Sequence, residues 1–254
     1  MSLTQCLSLV LFELGAGALL FTALLPTGEI RPSFFAFQSF LGAVAVALAT
    51  VLHGSSTVEL GFMVGIVISA LLATQAFRNE KLTVGRALMA LAGTMAAGLM
   101  LHSVPTPALP ASSQAYYPLL FAIGGLLLVG ATHTAMVLGH WYLLMRQLSF
   151  THLVRFSWLA LAAVIVRGGL LVATVFLLDQ FDRDFGGALL GRALHVNGFF
   201  FGTRVLLGLV APLAFGIMTV RCAYLRANQA ATGLLYLSEA FVFFGELLAA
   251  YLLL

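Results

Sequence analysis

Residues 117–145 read YPLLFAIGGLLLVGATHTAMVLGHWYLLM, a run with no Asp, Glu, Lys or Arg. At about 1.5 Å per residue, a helix of this length outreaches a hydrocarbon core of about 30 Å. Backbone amides in hydrocarbon find no water, so a lone segment satisfies them by becoming a helix. That stretch sets the fold class: an all-α, polytopic transmembrane bundle. Working outward, apolar windows of similar length cover residues 4–25, 33–53, 57–77, 84–104, 153–178, 198–220 and 231–254. Eight spans account for most of the chain.

The composition agrees. Of 254 residues, 61% are hydrophobic and 8% charged, with a mean hydropathy of +1.07; no soluble catalytic domain fits, and the chain reads as a single integral membrane domain over 1–254. The basic residues lie singly between apolar segments, so they form no nucleic-acid surface. Cys6 and Cys222 belong to different spans and match no metal-ligand spacing. The first span has no basic leader, carries Glu13 in its middle and runs into Pro26-Thr27-Gly28 without a small-residue cleavage site, unlike a signal peptide. The connection Val51–Ser56 is so short that one broken helix, and a count of seven, is the competing reading of spans two and three.

Charge distribution favours eight. Connectors after odd-numbered spans carry Arg31; Arg78, Lys81 and Arg86; Arg146 and Arg155; Arg221 and Arg226. Those after spans two and four carry none, and the one after span six sets Arg183 and Arg192 against Asp179, Asp182 and Asp184. The positive-inside rule then makes the odd connectors cytoplasmic and puts both termini on the outer, periplasmic side. The stretches Pro105–Pro110 and Asp179–Asp184 fall in the longest outer connectors and suit docking to a neighbouring subunit. No internal repeat is visible.

A charge at bilayer depth costs roughly 2.5–3.5 kcal/mol on translocon scales, so each one asks for a partner, a cavity or a function. Counting from the span limits, Glu13, Arg204 and Glu246 lie roughly 9–14 Å below the outer end. Arg167 and His133 lie near the midplane, and His140 and Glu239 lie toward the cytoplasm. His133 and His140 are seven apart, as are Glu239 and Glu246, so each pair projects from one helix face. Together they suggest a polar ladder in which Glu13, Glu239 and Glu246 relay protons, while His133, His140, Arg167 and Arg204 hold a quinone or form internal ion pairs. The plainer reading, in which the charges only fix helix register, stays beside it. Bis-histidine haem b is disfavoured, because no pair including His133 or His140 matches in depth. His53, His102, His152 and His195 read as interfacial. The chain has no GxSxG, HExxH or CxxC, and the glycines at 186, 187 and 191 lack the Lys-Ser/Thr of a phosphate loop.

Phe12-Glu13-Leu14-Gly15-Ala16-Gly17-Ala18 in the first span and Phe244-Gly245-Glu246-Leu247-Leu248 in the last, with eight spans and outward termini, resemble the NrfD/PsrC/DmsC-like membrane anchors of polysulfide and DMSO reductases. The resemblance implies a quinone-reactive subunit of the bacterial cytoplasmic membrane that passes electrons to an extrinsic iron–sulfur partner and usually holds no redox centre of its own. Only Glu13 and Glu246 match residue by residue, and the run from Ala131 to Tyr142 has no counterpart in that family. The expectation is a membrane subunit of a respiratory or photosynthetic electron-transfer complex that binds menaquinone or ubiquinone, in the lipid bilayer beside other redox subunits. A proton-coupled transporter or channel, and a purely structural or assembly subunit, are the alternatives. On the first reading Glu246→Gln reduces quinone turnover without loss of assembly.

Overall fold

A computed structural model of the chain describes residues 2–54, 56–104, 117–145, 149–181 and 197–252, with side chains omitted at 117 and 175–181. Eight helices long and apolar enough to span a membrane are present: α1 (Leu3–Ala23), α2 (Pro32–His53), α3 (Thr57–Arg78), α4 (Leu82–Ser103), α5 (Tyr117–Leu144), α6 (Phe150–Phe181), α7 (Gly198–Tyr224) and α8 (Asn228–Leu252). No strand occurs among the described residues. The segment Pro105–Pro110, the residues Asp182, Asp184, Gly186, Gly187, Gly191 and His195, and the basic residues Arg146, Arg183 and Arg192 lie outside them.

The tight link between α2 and α3 is a true break. Gly54 ends α2 in the left-handed region at φ +78°, which a residue without Cβ adopts at little cost. Ser56 then opens α3 with a capping box: its Oγ accepts from the Glu59 amide while Glu59 Oε2 accepts from the Ser56 amide at 2.6 Å. Ser2 and Gln5 start α1 in the same way.

The helices pack as two rings of four. In the first ring, α1 packs on α2, α2 on α3, α3 on α4 and α4 back on α1. In the second, α5, α6, α7 and α8 close in the same order. Four crossings return the chain to its starting side, so the rings are tandem and parallel in sense, a duplication of topology that the sequence does not display. Their last turns share a further detail. After α3, the amide of Lys81 donates to Ala76 O and that of Glu80 to Phe77 O; after α7, Ala227 donates to Cys222 O and Arg226 to Ala223 O. Both are Schellman motifs, with Glu80 (φ 58°) and Arg226 (φ 57°) in the left-handed position.

The rings meet chiefly along α1 and α5. Gly17 and Gly130 cross there so closely that a Cβ on Gly17 would stand 2.4 Å from Gly130 Cα. Small residues allow such approach where lipid offers no hydrophobic drive for helix association. Replacing Gly17 by Ala forces backbone apart, and a loss of about 1–3 kcal/mol is expected, read as a lower unfolding temperature in detergent. Gly98→Ala, which meets nothing within 4 Å, is the control that should leave it unchanged; equal effects would contradict the seam.

Candidate functional site

Charges that the sequence scatters over three spans converge on one carboxylate. Glu246 of α8 receives Arg167 of α6 in a two-pronged pair, Nε to Oε1 at 3.0 Å and Nη2 to Oε2 at 2.6 Å. Arg204 of α7 adds Nη2 to Oε1 at 3.2 Å. Exposure is 0% for Arg204, 1% for Glu246 and 3% for Arg167, so both guanidiniums are held in a dry interior where an unpaired charge is expensive. Glu13 of α1, 2% exposed, lies within the electrostatic field of all three. It is the only member contributed by the first ring. Arg167 and Glu246, counted to different depths from the span limits, are in contact here, because a guanidinium reaches well away from its own Cα.

Glycines make the room. A Cβ on Gly124 would stand 2.7 Å from Arg167 Nη1, one on Gly125 only 1.8 Å from Glu13 Oε1, and one on Gly208 2.8 Å from Arg204 Nη1. Gly208 also crosses Gly245, with a built Cβ 2.7 Å from its Cα, which brings α7 against α8 beside Glu246. The Phe121 ring lies 5.1 Å from the Arg167 guanidinium carbon, a favourable cation–π geometry. Sequence reasoning passed over Gly124, Gly125, Gly208 and Phe121. The available signal was that glycines recur on the helices that also carry charge.

Within α7, Leu206–Val210 form a turn of π-helix, closed by the Ala211 amide on Leu206 O. Pro212 is the cause: it has no amide for the Gly208 carbonyl and its ring would collide with it, so the helix widens by one residue. The bulge directly follows Arg204 and carries Gly208. No feature of the apolar pattern announces it, although Pro212 could have.

The remaining polar residues form separate nodes. His133 Nδ1 meets Glu239 Oε1 at 3.0 Å between α5 and α8, both buried. Between Glu239 and Glu246 on the same face of α8 stands Val242, fully buried, so the described residues form no unbroken ladder. His140, expected on the buried face with His133, is exposed and bonded to Tyr236 Oη at 3.0 Å. The other described histidines pair elsewhere: His53 with Ser8, His102 with Glu59 and His152 with Glu29. No group of three potential metal ligands occurs among the described residues.

Several polar atoms of this interior have no hydrogen-bond partner: Arg204 Nε and Nη1, Glu13 Oε2, His133 Nε2 and Glu239 Oε2. Each such atom costs about 1–3 kcal/mol unless water or a ligand meets it. Toward the chain termini from the charge cluster, α1, α7 and α8 enclose a cleft of about 400 Å³ lined by Leu3, Cys6, Phe200, Phe244, Leu247 and Tyr251. Phe200 is one turn from Arg204, and Leu247 adjoins Glu246. Its lining is apolar and aromatic and includes no residue of the charge cluster. Comparison with protein-family models, curated proteins and solved structures finds no match to this chain.

The cluster predicts an order of stabilities. Glu246→Gln strips two buried guanidiniums of their shared carboxylate and should cost about 3–5 kcal/mol. That coupling overturns the expectation that Glu246→Gln leaves assembly untouched. The double variant Glu13→Gln, Arg204→Gln keeps Arg167 matched to Glu246 and should unfold at a higher temperature than Glu246→Gln; the reverse order would refute the shared-carboxylate arrangement.

Proposed function

We propose that the chain is a quinone-binding membrane subunit of an electron-transfer complex, in the bacterial cytoplasmic membrane with both termini outward. The observation that carries this reading is the set of unpartnered polar atoms on the buried Arg204 and Glu13, with an aromatic-lined apolar cleft one turn along α7 at Phe200. A quinone has the matching halves: a ring and tail for Phe200, Phe244 and Leu247, and carbonyl oxygens for a guanidinium.

In this reading Arg204 donates a hydrogen bond to a carbonyl oxygen and stabilises the negative charge that develops on reduction. Glu13 exchanges the proton, because its second oxygen is uncommitted while both oxygens of Glu246 are occupied by arginine. Glu246 and Arg167 position Arg204. His133 and Glu239, two turns away along α8 and beyond Val242, do not touch the headgroup. Electrons pass to or from a partner subunit, and the partner's potential sets the direction. The tandem parallel rings favour a second reading as a proton-coupled transporter. Against it, both arginines and Glu246 belong to the second ring, and the first ring adds only Glu13.

Cys6 lines the cleft and Cys222 lies on the opposite end of α7, so one chain carries both probe and control. A short-chain quinone with every ring position substituted, which leaves thiols no carbon to add to, should slow alkylation of Cys6 by an apolar maleimide and leave Cys222 unaffected. Unchanged Cys6 alkylation at saturating quinone would remove the cleft from the account. In the assembled complex Glu13→Gln should lower quinone turnover by roughly 10²-fold or more, the scale of a lost general acid–base group, with the protein still folded; full turnover would take Glu13 out of the mechanism.

A further inference from the structure

The first ring leaves space that its own side chains do not fill. Near the end of the bundle that holds the chain termini, α3 and α4 part to leave a groove of about 450 Å³. Met95 closes its floor, packed where a Cβ on Gly65 would meet it at 3.4 Å, and Phe62 and Leu99 line its walls. The mouth is polar, made by Ser56, Glu59 and His102. From His102 to Met95 the groove descends seven residues of α4, about 10 Å or a third of a hydrocarbon core. On the other flank of α4 lies a second groove of about 270 Å³, wholly apolar, with Leu101, Leu119 and Ile123 in its lining. Gly98 borders both grooves, and a Cβ built on it meets nothing within 4 Å.

We propose that the two grooves hold one aminophospholipid, a phosphatidylethanolamine, whose ammonium sits at Glu59 and His102 and whose two acyl chains straddle α4 at Gly98. Both grooves face the bilayer, since Phe62, Leu101 and Leu119 are exposed on membrane-spanning helices. A ridge with a groove on each flank matches a molecule with two tails. Charge identifies the head. The Glu59 side chain is only 15% exposed, yet the connectors that join α3 and α4 at this end, 54–56 and 105–116, contain no Lys or Arg. Its capping bond from the Ser56 amide occupies Oε2, while Oε1 stands 3.7 Å from His102 Nε2, beyond hydrogen-bond reach. A carboxylate oxygen, the acceptor nitrogen of a neutral imidazole and the Ser56 hydroxyl together offer what the three N–H donors of a primary ammonium require. A choline head carries the same charge without an N–H, and a glycerol head carries no cation. A quinone ring, polar at both ends, would leave one carbonyl against Phe62 or Met95. The assignment is independent of whether the α1–α7–α8 cleft takes a quinone.

Native mass spectrometry of the full chain, delipidated in mild detergent, tests this with three probes that share the same acyl chains: phosphatidylethanolamine, its N-trimethylated counterpart phosphatidylcholine, and phosphatidylglycerol. One phosphatidylethanolamine should be held at least ~10-fold more tightly than either of the others, the scale of a hydrogen bond to a charged group. Retention that does not favour ethanolamine, or no retention at all, would overturn the proposal. Glu59→Gln preserves the capping box, in which Gln serves as Glu does, and should abolish the preference for ethanolamine over choline. Gly98→Leu projects into open space and should lower retention of every lipid. A preference that survives Glu59→Gln would refute the head's placement, and retention untouched by Gly98→Leu would refute the saddle. Should either variant fail to fold, the comparison of the three lipids on the unsubstituted protein decides alone.

Discussion

Two guanidiniums and two carboxylates buried in the apolar interior are the constraint around which the second half of this protein is built. The chain brings both guanidiniums from α6 and α7 onto Glu246 of α8, with Glu13 of α1 buried nearby. Much of the local architecture follows from fitting them. Gly124, Gly125 and Gly208 give up side-chain volume to charged groups, and the π turn before Pro212 sets Gly208 against Gly245. Glu13, the one contribution from the first ring, ties the two rings together at the cluster as Gly17 and Gly130 do at the seam.

The tandem rings explain why the site is asymmetric. Topology repeats, down to the Schellman turns after α3 and α7, but the chemistry does not. The first ring is apolar in its interior apart from small hydrogen-bonding residues such as Ser8, Gln38 and Thr50. The second holds both arginines that are buried among the described residues and both glutamates of α8.

Much of the fold was legible because hydrocarbon permits so few structures. Apolar length located the helices and the charge distribution chose eight over seven, while the caps at Gly54 and Ser56 that part α2 from α3 show only in the structure. The buried charges were legible too, since Glu13, Arg167, Arg204, Glu239 and Glu246 stand out in apolar runs. Their pairing was not. Depth counted from span limits separated Arg167 from Glu246, because an error of a few residues and a long side chain together exceed the depth difference being read. Seven-residue spacing put His140 on the face of His133, but seven residues fall short of two full turns, and the face drifts by about 20° per heptad. Here that face ends at the rim, where His140 meets Tyr236. The glycines that seat the charges were invisible for a simpler reason: glycine is common in membrane spans, and only contact shows which ones matter.

The central claim is that the buried cluster near the α1–α7–α8 cleft serves quinone chemistry within a larger redox assembly. The most direct measurement is purification of the protein from its own membrane in mild detergent, with quinone extracted and quantified and copurifying chains identified by mass. The account predicts stoichiometric quinone together with iron–sulfur or cytochrome subunits. A homo-oligomer free of quinone and of redox partners would contradict it.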